Sequence, residues 1–148
     1  MSQYKQILVP VDESPISYSA VEHALALAKS QDAHVTIVSV VAVDPFVGVD
    51  FYAIAPAITE YFMQAEKSAQ LRLEDIKQSF IRDGIEVDTR LVHGVSPTEG
   101  ILQVADELNV DLIIMGSHGR TGLKKAMLGS VAQNILTQCP IPVLIVKE

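Results

Sequence analysis

Two stretches of this sequence carry residues suited to holding an anion. The longer is Met115-Gly-Ser-His-Gly-Arg-Thr-Gly-Leu-Lys-Lys-Ala-Met-Leu-Gly-Ser130. It contains four of the chain's eight glycines, Gly116, Gly119, Gly122 and Gly129, together with Arg120, Lys124 and Lys125. Glycines let backbone N–H groups approach a ligand without a Cβ in the way. At Gly129-Ser130 a helix opens, and a helix start offers free N–H groups and the positive end of its dipole. The chemistry implied is capture of phosphate, with Arg120 and Lys124 as neutralising charges or as plain solvated ones.

The second stretch is Val9-Pro10-Val11-Asp12-Glu13-Ser14. A carboxylate beside phosphates is repulsive unless a cation such as Mg²⁺ lies between them, or unless it bonds a ribose hydroxyl instead. Those two roles for Asp12 stand beside a plain one, capping the next helix in competition with Ser14. Histidine is a residue type used in acid–base catalysis, yet no carboxylate or nucleophile can be paired with His118, so no catalytic residue is assigned. His23, His34 and His93 are scattered, read as structural or surface residues, and with the single Cys139 give no zinc spacing. Cys139 suits a small buried apolar side chain.

Familiar nucleotide fingerprints do not fit. Leu123 follows Gly122 where a P-loop requires lysine, and Val9-Pro10-Val11-Asp12 stands where a dinucleotide-binding glycine motif would follow the first strand.

The elements that must position these residues alternate regularly. Ile7–Val11 is a short apolar run, as suits a strand covered on both faces, ending near Pro10. Ser14-Pro15 signals a helix start, and Ile16, Ala20, Ala24, Leu27 and Ala28 continue at helical spacing to about Ser30. Val35–Val41 is β-branched and reads as a strand. A long loop is expected over Asp44–Pro56, its aromatics Phe46, Phe51 and Tyr52 joining Tyr61 as a lid, a partner surface or core packing. Ile58 to Phe80 steps by three or four toward a C-cap at Gly84. Strands follow at Val87–Val92, Asp111–Met115 and Val143–Val146. Ser96-Pro97-Thr98-Glu99 predicts a capping box before the helix of Ile101, Leu102, Ala105 and Leu108. Alternation of this kind predicts an α/β fold: an open five-stranded parallel sheet with helices on both faces, of Rossmann-like type.

A length of 148 residues suggests one domain, 1–148. A formal net charge of −7 argues against nucleic acid or an anionic membrane as partner. No apolar stretch approaches a membrane span, and none at the start resembles a signal peptide. A cytoplasmic protein is expected.

Gly116-x-x-Gly119, nine residues, then Gly129-Ser130 resembles the ATP-binding signature of the universal stress protein family. Val-Pro-Val-Asp after the first strand, Gly94-x-x-Pro97, Asp-Leu-Ile-Ile-Met-Gly-Ser-His-Gly, Leu-Gly-Ser-Val and the closing Pro-Val-Leu-Ile-Val extend the resemblance from Ile7 to Lys147. The resemblance implies the adenine nucleotide alpha hydrolase-like variant of the fold, ATP with Mg²⁺ as ligands, and a site at particular positions. Pro10, Val11 and Asp12 would lie near adenosine and phosphate, with Mg²⁺ or a ribose hydroxyl as the contact of Asp12. Val40 would meet the adenine ring. Met115 and Gly116 would flank the ribose, and Gly119, Gly129, Ser130 and Val131 would surround the phosphates. Some relatives carry a hydroxyl where this chain has Ala132, which implies one phosphate contact fewer.

The function implied is a regulatory nucleotide-binding homodimer in stress response, paired through the C-terminal strand and capable of at most slow ATP hydrolysis. Two alternatives stand beside it. One is a dimeric interaction module of the same fold that takes no nucleotide. The other is a phospho-acceptor receiver domain, which would use Asp12-Glu13 but also needs an acceptor aspartate at a central strand end. The third and fourth strands lead instead to His93-Gly94 and Met115-Gly116.

Overall fold

The computed structural model describes residues 3–41, 56–118 and 128–147, with backbone alone at 56–59. Five strands and four helices alternate: β1 Gln6–Pro10, α1 Pro15–Gln31, β2 His34–Val41, α2 Pro56–Arg82, β3 Val87–His93, α3 Pro97–Glu107, β4 Leu112–Gly116, α4 Ser130–Gln138 and β5 Val143–Val146. The expected loop before Pro56 lies outside the described residues, and α2 begins at that proline.

The sheet is wholly parallel in the order β3-β2-β1-β4-β5. Alternation along the central strands sends side chains to opposite faces. Ile7 and Val9 join Ala20, Val21, Ala24, Leu73, Ile76 and Phe80 in one core, beneath α1 and α2. Leu8, Val38, Ile113 and Met115 join Ile101, Val104, Ala132 and Ile135 in the other, beneath α3 and α4. Both faces are thus covered, which is why the strands read as apolar runs rather than as half-polar ones.

Local stops match the sequence. Gly84 takes φ +74, with Gly84 N–H donating to Ile81 O at 3.0 Å and Ile85 N–H to Phe80 O at 3.0 Å. That pair of bonds is a Schellman ending, which returns the chain sharply toward β3. Of the capping box expected before α3, only the Ser96 half forms: its Oγ accepts from Glu99 N at 3.2 Å. Cys139 is half-buried rather than buried, closing α4 against the second core.

The two sheet edges differ. Along β3, Asp88 pairs with His34 at 2.8 Å, Arg90 with Glu107 at 2.8 Å, and His93 with Glu66 at 3.6 Å. The bonds from Arg90 and then Gln103 hold the exposed Glu107 carboxyl below the ordinary carboxylate range. Strand β5, by contrast, is Val-Leu-Ile-Val, and its Leu144 is 40% exposed.

Candidate functional site

From β1 the chain moves outward to β2 and β3, and then returns to place β4 on β1's other side. The reversal leaves a crevice between the carboxyl ends of β1 and β4, where open α/β sheets bind ligands. A cleft of about 280 Å³ occupies it. Pro10, Val11, Asp12, Val40, Met115, Gly116, Gly129, Ser130 and Val131 all line this one cleft. Gly119, Arg120, Lys124 and Lys125 lie outside the described residues.

The cleft has two chemical halves. Val38, Ile101, Met115 and Ala132 extend the second core up to its floor, and Val40 and Pro97 complete an apolar wall. The remaining lining includes Asp12, Glu13, Ser17, His118 and Ser130 at the start of α4. An apolar slot beside convergent polar groups suits a ligand with a flat ring at one end and charge at the other.

Asp12 is the hub of the β1–α1 turn. Its Oδ1 accepts from Ser14 N at 2.8 Å, from Ser14 Oγ, and from Ser17 Oγ at 2.9 Å. In return Ser17 Oγ accepts from Asp12 N at 2.9 Å. Ser14 occupies the N-cap position of α1, but its side chain makes no capping bond to the helix because its hydroxyl is turned back to Asp12. The expected contest between Asp12 and Ser14 is therefore a partnership. The turn consumes Oδ1, and Oδ2 has no partner among the described residues.

Helix α4 starts without a side-chain cap: Gly129 is its N-cap residue and no acidic residue lies in its first turn. The amides of its first turn have no intrahelical acceptor by geometry, and Ser130, Val131 and Ala132 line the cleft. Gly129 N–H donates to Ser117 O at 2.7 Å, so the chain leaving β4 and the chain entering α4 are joined at the cleft rim. A Cβ at Gly129 would come within 3.1 Å of His118 Cα. The close backbone approach there requires glycine or a local shift. At Gly116 a Cβ would meet Ile16 Cγ2 at 2.8 Å, so this glycine seats α1 against the end of β4.

His118 lines the cleft with its Nδ1 3.2 Å from Ser117 Oγ. It has no carboxylate partner among the described residues. Sequence reasoning did not pick out Ser17, Pro97 or Ile101 as cleft residues. For Ile101 the apolar stripe of α3 marks burial but cannot say whether protein or ligand covers the position.

A second cleft, of about 390 Å³, adjoins the first and shares Asp12, Glu13 and Val40 with it. Its other wall comes from α2, through Phe62, Ala65, Ser68, Ala69 and Arg72. No helix among the described residues is long and apolar enough to cross a membrane.

Comparison with known proteins gives a consistent result. The family model described as the universal stress protein family matches residues 3–147. Universal stress protein MJ0531 of Methanocaldococcus jannaschii is 37% identical over 145 residues, covering 98% of this chain and 83% of that protein. The solved structure of MJ0577 from the same organism superposes with a TM-score of 0.83 at 31% identity, over 99% of this chain and 98% of its own. A universal stress protein solved in complex with cAMP superposes at 0.66 with 26% identity, over 99% and 98%.

Proposed function

This chain belongs to the universal stress protein family, and on that premise we propose that it is a cytoplasmic, ATP-binding regulatory homodimer of stress response. The observation that carries the reading is the cleft at the β1–β4 crossing, where an apolar slot leads to the uncapped start of α4. The slot takes a purine ring at Val40, with Met115 beside the ribose. The first-turn amides of α4 meet phosphate with no loss of existing bonds, a favourable arrangement for an anion. That a relative of similar fold is solved with cAMP supports an adenine nucleotide as the ligand class.

The donor set fits a Mg²⁺ ion carried in by the nucleotide. Mg²⁺ is commonly held by one or two carboxylates together with substrate phosphates and waters. Asp12 offers Oδ2 to it while Oδ1 keeps the turn in place. The ion would neutralise phosphate charge beside this carboxylate. Binding rather than turnover is the activity proposed.

Homodimer formation rests on the contrast between sheet edges. An apolar edge strand is a liability unless covered, whereas charged pairs guard an edge. β5 is apolar and β3 is guarded, so the pairing surface is β5.

A thermal-shift series with ATP, AMP and cAMP, each with and without Mg²⁺, tests the ligand. Saturating ATP at about a thousand times its Kd would add about 4 kcal/mol of stability, and Mg²⁺ should enlarge the ATP shift in particular. No shift with any adenine nucleotide would leave the chain as an interaction module of the same fold.

A further inference from the structure

Gly100 sits inside α3 and is buried. Glycine in a helix interior is less favourable than alanine, so a close approach is the natural reason for it. The approach is to Val40. A Cβ built at Gly100 would lie 2.8 Å from Val40 Cγ2 and 3.2 Å from Val40 Cγ1, with Val95 Cγ2 at 3.4 Å. Both methyls of Val40 are close and its β-branched χ1 is stiff, so a group added at Gly100 forces the valine to shift or to leave its preferred rotamer.

Val40 lines both clefts and forms part of the wall between them, while Gly100 lines neither. Gly100 therefore stands behind the wall and Val40 stands in front. We infer that Gly100 is a positioning residue for ligand specificity: by admitting Val40 to its present seat, it sets the width of the slot that takes the base. A methyl behind the valine would push it toward the ligand and narrow that slot. The anion end at Gly129 and Ser130 would remain unchanged. This inference rests on the reading of the cleft as an adenine-nucleotide site.

The test is calorimetry on four proteins: the parent, Gly100→Ala, Val40→Ala, and the double variant. ATP is one ligand, and inorganic tripolyphosphate serves as a base-free probe of the anion end. In the parent background Gly100→Ala should weaken ATP by about tenfold and leave tripolyphosphate within about twofold. In the Val40→Ala background the same methyl finds space, so the double variant should bind ATP within about threefold of Val40→Ala. If the Gly100→Ala protein does not fold, the double variant still should, and that rescue together with the threefold comparison supports the inference. Equal loss of ATP in both backgrounds overturns it. So does a folded Gly100→Ala protein that binds ATP like the parent, or that loses both ligands alike. A parent that binds no adenine nucleotide overturns the nucleotide reading itself, and this shows before any variant is compared.

Discussion

Asp12 carries two separable duties, and single substitutions can part them. Oδ1 organises the β1–α1 turn through Ser14 and Ser17, and on the proposed reading Oδ2 is left to meet Mg²⁺. Asp12→Ala removes both and strands the Ser14 and Ser17 donors. Ser14 and Ser17 are buried, so this should destabilise the unliganded protein by about 1–3 kcal/mol. Asp12→Asn keeps an acceptor at Oδ1 and loses the charge. It should melt close to the parent, while the increment in ATP affinity supplied by Mg²⁺ disappears. Urea unfolding without ligand, and calorimetry with and without Mg²⁺, check both variants. If Asp12→Ala is as stable as the parent, the turn does not depend on this carboxylate. The double duty was only half legible in the sequence. Asp12 stood out for its place after a strand, but its partnership with Ser17, five residues on, depends on how α1 docks beside β1. Gly100 was passed over although its signal was present, an unexplained glycine inside a helical pattern.

At the scale of elements, the proposed reading makes the uncapped start of α4 the place where phosphate binding is decided. Its amides belong to the backbone, so Ser130→Ala should weaken ATP by no more than about ten- to a hundredfold, the loss of one hydroxyl hydrogen bond to a charged group. Gly129→Val should do more. Its side chain meets the His118 backbone and strains the Gly129–Ser117 bond that fixes where the helix begins. Calorimetry of the two variants, with circular dichroism to confirm folding, orders the effects; an equal loss from both would place the phosphates on the hydroxyl. Elements were the most legible part of the fold. Ser14-Pro15, Ser96-Pro97 and Gly84 marked helix ends within a few residues of those found, because proline at a helix start and glycine after its end are local steric requirements. The walls of the cleft were less legible. Periodicity reports which face is buried, and Ile101 in α3 is buried whether a ligand or a neighbouring helix lies over it.

For the whole molecule the assembly prediction follows from β5. Leu144→Asp puts a carboxylate on a strand that is otherwise apolar. It should convert a dimer to a monomer at micromolar concentration in light scattering, with melting temperature little changed. A parent protein that is already monomeric under those conditions would refute pairing through this edge. The guarded edge then acquires a consequence of its own. Twofold pairing through β5 is self-complementary and consumes that surface on both copies. The joined sheet is bounded on each side by β3, where Asp88, Arg90 and His93 are each committed to an acidic or basic neighbour within the same chain. Neither boundary offers an apolar strand for a third copy to extend. On the proposed pairing, elongation would stop at two, and the chain could present an apolar edge without seeding a fibre.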